Sequence, residues 1–144
     1  MPLFGPEATF FAVLAPFAAA IVAPALTRAM GHNAAWPLAL VPAAVFVFFA
    51  GLVPQVAGGE SFTPGIAWAP AYGVSFSFFI DGLSTMFALL ISGIGTFIIL
   101  YAGGYLKGHA HQGRFFSFLF LFMGAMLGLV LGNDLLTLLV FWEL

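Results

Sequence analysis

Five carboxylates and three histidines are the side chains in this 144-residue chain that could carry a proton or hold a cation. His109 and His111 stand two apart in a glycine-flanked stretch with no further ligand nearby, so they read as a polar turn, not a metal site. The absence of cysteine removes disulfides, iron–sulfur ligation and thiolate zinc from this segment. These residues imply no cofactor and no metal. Glu7 and Glu60 fall in or beside polar stretches and read as solvated. Asp81 in "IDGLS" and Asp134 in "GNDLL" each precede an apolar run. A carboxylate there can accept from the free N–H groups of a first helical turn and is favoured by the helix dipole, so both read as N-caps. Glu143 differs, because it lies inside the apolar run "LLTLLVFWEL".

The elements that must position these groups follow from composition. The chain is 63% hydrophobic and 6% charged, whereas soluble domains carry roughly 25% charged residues. Mean hydropathy is +1.16. Net charge is -2, with no basic patch for nucleic acid. The implied class is an all-α integral membrane bundle forming one domain over 1–144. A hydrocarbon core about 30 Å thick takes about 20 apolar residues per helix. Four complete spans are expected at about 8–26, 35–53, 83–105 and 115–131, with an incomplete fifth at 134–144. No Lys or Arg precedes the first run, which argues against a cleaved signal peptide. Pro16, Pro24 and Pro42 should bend helices one and two. Ser92 and Thr96 share a face of helix three and should bond their own backbone carbonyls. Gly124, Gly128 and Gly132 fall at i, i+4 and i+8, a bare stripe suited to close helix packing.

The stretch from Pro54 to Ile80 is long for a connector. Within it Val74, Phe76 and Phe78 alternate with Ser75 and Ser77 after the turn residues Pro70 and Gly73. That strand period predicts a short β-hairpin on the outer membrane surface. Arg28 and His32 lie between helices one and two, and Lys107, His109, His111 and Arg114 between three and four. The positive-inside rule therefore places the N-terminus outside a cell membrane. A start near Asp134 puts Glu143 about 13 Å along helix five, close to the bilayer midplane. A charge at that depth costs about 3 kcal/mol or more unless neutralised, paired or hydrated, and such residues mark ion and proton pathways. A helix five that ended at Leu144 would span only about 16 Å, so the sequence reads as the N-terminal fragment of a longer protein.

"FIDGLSTMFALLISGIGTFIILYAGGYL" and "GRFFSFLFLFMGAMLGLVLGNDLLTLLVFWEL" resemble the large A subunit of the multisubunit Mrp-type Na+/H+ antiporters. These are relatives of the antiporter-like proton-pumping subunits of respiratory complex I. The resemblance covers Val74 to Leu144, most specifically in "GRFF", "GAMLG" and "FWEL". One departure is Asn133-Asp134, where the family more often reads Asp-Asn. The resemblance implies a secondary transporter subunit, not an enzyme, exchanging a monovalent cation, Na+, for protons within a hetero-oligomeric complex. It assigns to Glu143 the proton-binding glutamate of helix five, paired with a lysine on a later helix. The competing readings are a proton-translocating subunit of an NADH:quinone oxidoreductase and an inactive truncated fragment.

Overall fold

A computed structural model describes residues 8–63, 65–72, 74–105, 111–133 and 135–143. Its frame is four long helices: α1 (Thr9–Met30), α2 (Ala35–Ala57), α3 (Gly82–Tyr105) and α4 (Gln112–Leu131). All four are long and apolar enough to cross a membrane. A shorter α5 (Leu135–Glu143) follows. Two short strands, β1 (Gly65–Ala69) and β2 (Val74–Ser77), stand between α2 and α3 and pair antiparallel. Their register runs Gly65 to Ser77, Ile66 to Phe76 and Ala67 to Ser75, then shifts so that Ala69 meets Val74. A 3-10 turn at Pro70–Tyr72 joins them. Gly73 lies outside the described residues.

Helices α1, α2 and α4 extend beyond the apolar windows expected from hydropathy. α1 runs on to Met30 and α2 to Ala57, and α4 begins at Gln112 rather than at Phe115. Hydropathy marks the hydrocarbon slab, while the backbone bonds of a helix continue into the headgroup layer. Thr27 shows how: its Oγ1 donates to Ala23 O at 3.0 Å and Pro24 O at 2.9 Å, so a polar residue sits in the helix without an orphan group. Pro16, Pro24 and Pro42 all lie inside unbroken helices, as does Pro54.

The bundle packs as two pairs, α1 against α4 and α2 against α3, joined where α3 meets α4. The α1 face is made of small residues at helical spacing: Ala12, Val13, Pro16, Ala19, Ala20 and Ala23 are buried. Such a face lets two backbones approach closely. Ser117 of α4 uses that proximity, its Oγ donating to Ala20 O at 2.7 Å. At the junction, a Cβ on Gly95 would collide with Met123 Cε. On α3, Ser92 Oγ donates to Ala88 O at 2.7 Å and Thr96 Oγ1 to Ser92 O at 2.8 Å, so both hydroxyls are satisfied within the helix.

The segment leading into α3 is clamped on both edges. Phe62 and Ile80 exchange backbone hydrogen bonds of 3.0 and 2.8 Å on one side. On the other, Phe79 N–H donates to Leu131 O at 2.7 Å and Asn133 N–H to Ser77 O at 3.1 Å. Alternation would turn Ser77 outward, yet Ser77, Phe78 and Ile80 are all buried. The reason is the α4–α5 connection: Asn133 Nδ2 donates to Ser77 Oγ at 3.1 Å and Ser77 N–H to Thr137 Oγ1 at 3.3 Å.

Asp81 then starts α3. Its Oδ1 accepts the Ser84 N–H at 2.9 Å, and Ser84 Oγ accepts the Asp81 N–H at 2.9 Å. This is a reciprocal capping box with Ser at its third helical position. Asp81→Ala should lower the unfolding free energy of the protein in detergent by about 1 kcal/mol. Asp81→Asn keeps the accepting oxygen and should unfold within a few tenths of a kcal/mol of the native protein.

Candidate functional site

Helix α5 has a fixed face and a free face. Thr137 and Phe141, four residues apart, are its buried residues. Thr137 binds the Ser77 amide, as above. Phe141 lies directly against Gly128 of α4, where any Cβ would collide with its ring. The same ring stands 5.9 Å from Phe78 and 6.4 Å from Phe17, centroid to centroid. Phe17 in turn covers Gly124, where a Cβ would lie 2.7 Å from the ring. Phe10 extends the row, 5.1 Å from Phe78. Four rings from α1, the pre-α3 segment and α5 therefore meet over α4.

This arrangement revises the glycine stripe. Gly124 and Gly128 each seat a ring, but α4 ends at Leu131, so Gly132 is not on the helix. With φ -55° and ψ 129° it turns the chain out of α4 and forms a bridge with Phe78. Asn133 continues that bridge.

Glu143 comes two residues after Phe141, so it points about 200° away around the helix. It is exposed, on the face shared with Leu135 at 84% and Leu139 at 54%, while Trp142 beside it is 70% exposed. Leu135 to Glu143 covers about 12 Å along the axis. The described arginines are remote along the fold, Arg28 in the last turn of α1 and Arg114 in the first turn of α4. Both belong to the membrane side opposite the α4–α5 connection. Glu60 is exposed after α2, and exposed His111 stands at the N-cap of α4. Among the described residues no three His, Asp or Glu side chains converge as a metal site. Glu7, Asp134, Lys107 and His109 lie outside the described residues. For Asp134 this includes its expected capping of α5.

Sequence reasoning missed Phe141 and Thr137, which orient the helix that carries Glu143. Their four-residue spacing was a signal, but an all-apolar helix offers many such pairs. Gly128→Ala should displace Phe141 and lower the melting temperature of the protein by several degrees. Gly51→Ala, where nothing lies within 4 Å of the added methyl, should not. Thermal unfolding in one detergent checks both. Combining Gly128→Ala with Phe141→Ala should destabilise less than the two single effects added together.

Comparisons with known proteins agree with the fold. Residues 68–116 match the family model described as NADH-ubiquinone oxidoreductase (complex I), chain 5 N-terminus. Over 134 residues, 92% of the chain, it is 39% identical to the A1 subunit of the Na+/H+ antiporter of Staphylococcus haemolyticus. The corresponding protein of Staphylococcus aureus is 38% identical. The chain spans only 17% of the length of each of these relatives. Among solved structures, the Mrp complex from Dietzia sp. matches with a TM-score of 0.82 and 32% identity, over 94% of this chain and 14% of that one. The membrane-bound sulfane sulfur reductase, an archaeal respiratory complex, shares the fold at a TM-score of 0.72 and 20% identity, over 92% of this chain and 20% of that one. In sequence and in fold alike, the chain is similar to a part of the antiporter-like membrane subunits that include the A subunits of the Mrp-type Na+/H+ antiporters.

Proposed function

We propose that this chain contributes part of the membrane domain of a monovalent cation/proton antiporter, and that Glu143 binds and releases the transported proton. The observation that carries this reading is the division of α5 into two faces. One face is locked to α4 through Phe141 and Gly128, and the other presents a carboxylate. A carboxylate on an apolar helix about 12 Å from its start has to be protonated, paired or hydrated at each moment. A lysine approaching from a later helix, as the family resemblance implies, stabilises the charged form, and its withdrawal favours protonation. Alternation between those two states moves one proton without a cofactor.

Na+ as the exchanged cation rests on the names of the Staphylococcus relatives. A hetero-oligomeric assembly rests on the likeness to the Mrp complex. The outward N-terminus rests on charge segregation. Arg28, His32, Lys107, His109, His111 and Arg114 all fall at the α1–α2 and α3–α4 turns, which the positive-inside rule assigns to the cytoplasm.

In the full-length subunit within its complex, Glu143→Gln should abolish Na+-driven pH change in everted vesicles while complex abundance stays at the native level. Undiminished exchange in that variant would refute the assignment. The matched complex I family model supports a second reading, a proton-translocating subunit of an NADH:quinone oxidoreductase. In that case NADH oxidation, not a Na+ gradient, drives the pH change, and Glu143→Gln suppresses it.

A further inference from the structure

We propose that the pocket between the last turns of α1 and the first turns of α4 binds a phosphate group, as carried by an anionic phospholipid at that membrane face. The pocket encloses about 360 Å³ and is walled by Pro24, Thr27, Arg28, His111, Arg114 and Ser117. It exists because Gly113 brings the two helices together. A Cβ there would lie 2.5 Å from Thr27 Oγ1 and 2.9 Å from Pro24 Cα.

Among the described residues, the donors around it have no acid to answer them. Arg28 and Arg114 are two of the three Lys and Arg residues in the whole chain. No acid lines the pocket among the described residues. Of the described acids, Glu60 and Asp81 stand at the opposite ends of α2 and α3, and Glu143 lies within α5; in the sequence, Glu7 precedes α1 and Asp134 comes between α4 and α5. The two hydroxyls in the wall donate to backbone, Thr27 to Ala23 and Pro24 within α1 and Ser117 to Ala20 across the two helices.

The start of α4 carries the same deficit. Its first turn contains no acidic residue, and His111 at the N-cap makes no side-chain cap bond. The Gln112 amide is turned away, donating to Gly103 O at 3.4 Å. Among the described residues, the N–H groups that open the helix have no side-chain acceptor. Arg114 occupies the third helical position, where the dipole disfavours a cation. An anion seated between Arg28, Arg114 and these amides resolves all three features at once. A phosphate suits guanidinium forks and helix N-termini. Basic pockets between helices at a membrane face are where such headgroups sit.

A phospholipid and free phosphate offer the same chemistry, so the test separates them. The full-length subunit, purified in neutral detergent, is titrated with phosphatidylglycerol, with a phosphate-free diglycosyl diacylglycerol and with inorganic phosphate. Lipid retention is followed by native mass spectrometry and stability by thermal unfolding. Phosphatidylglycerol should bind and raise the melting temperature, and the glycolipid should do neither. The doubly substituted Arg28→Gln, Arg114→Gln protein should bind phosphatidylglycerol roughly tenfold or more weakly. Protection by inorganic phosphate, lost in the same protein, keeps the site and identifies a free anion as its occupant. Equal binding of both lipids, or undiminished binding after substitution, overturns the proposal. Should the substituted protein not fold, a photoactivatable phosphatidylglycerol on the native protein decides. Labelling of peptides 24–28 and 111–117 supports the site, and labelling confined to other peptides refutes it.

Discussion

A phenyl ring pressed onto bare helix backbone is the contact on which the presentation of Glu143 depends. In lipid, a ring gains little by leaving the hydrocarbon for a protein interior, since the two are equally apolar. What it gains is contact, many small dispersion terms that need close fit. Gly128 supplies that fit by having no side chain, and Phe141 is 5% exposed as a result. Since α5 is otherwise exposed along most of its described length, the Phe141 seat and the Thr137 hydrogen bond decide which way it faces. The direction of the carboxylate is thus set by a residue with no polar chemistry of its own.

The remaining polar groups show how selective the bundle is. The hydroxyls of Thr27, Ser92, Thr96 and Ser117 all donate to backbone carbonyls. Asp81 is engaged in its capping box at a helix start. The arginines sit in terminal turns, where long side chains reach the headgroups. Glu143 alone breaks this economy among the charged residues described, and within a hydrocarbon slab such an exception has to be maintained by partners.

The sequence made some of this legible and hid the rest for physical reasons. Hydrophobic runs located all the helices, because twenty apolar residues have few alternatives to a membrane span. Helix ends were less accurate, since Thr27 and Gln112 are polar yet satisfy their groups inside helices, and Arg28 is exposed in the last turn of α1. Regular spacing suggested a glycine stripe through Gly132, but spacing alone does not reveal that the backbone leaves the helix there. The clamp around Ser77 was invisible because its partners, Asn133 and Thr137, lie 56 and 60 residues away. The pairing of aromatic rings with glycines was hidden too. With 19 phenylalanines in the chain, composition does not say which ring meets which gap.

Four hydrogen bonds tie residues 77–79 to Leu131, Asn133 and Thr137, at the near end of α5. Their mechanical effect is that of a hinge pin at the near end, and the Phe141–Gly128 seat checks the far end, so any rocking of α5 that moves Glu143 has to shift that ring. With a lever arm of about 12 Å, a rotation of about 5° carries the Glu143 backbone by about 1 Å. A shift of about 1 Å takes a hydrogen bond out of its working range, so a stiff anchor at one end gives small rotations their largest electrical effect at the other.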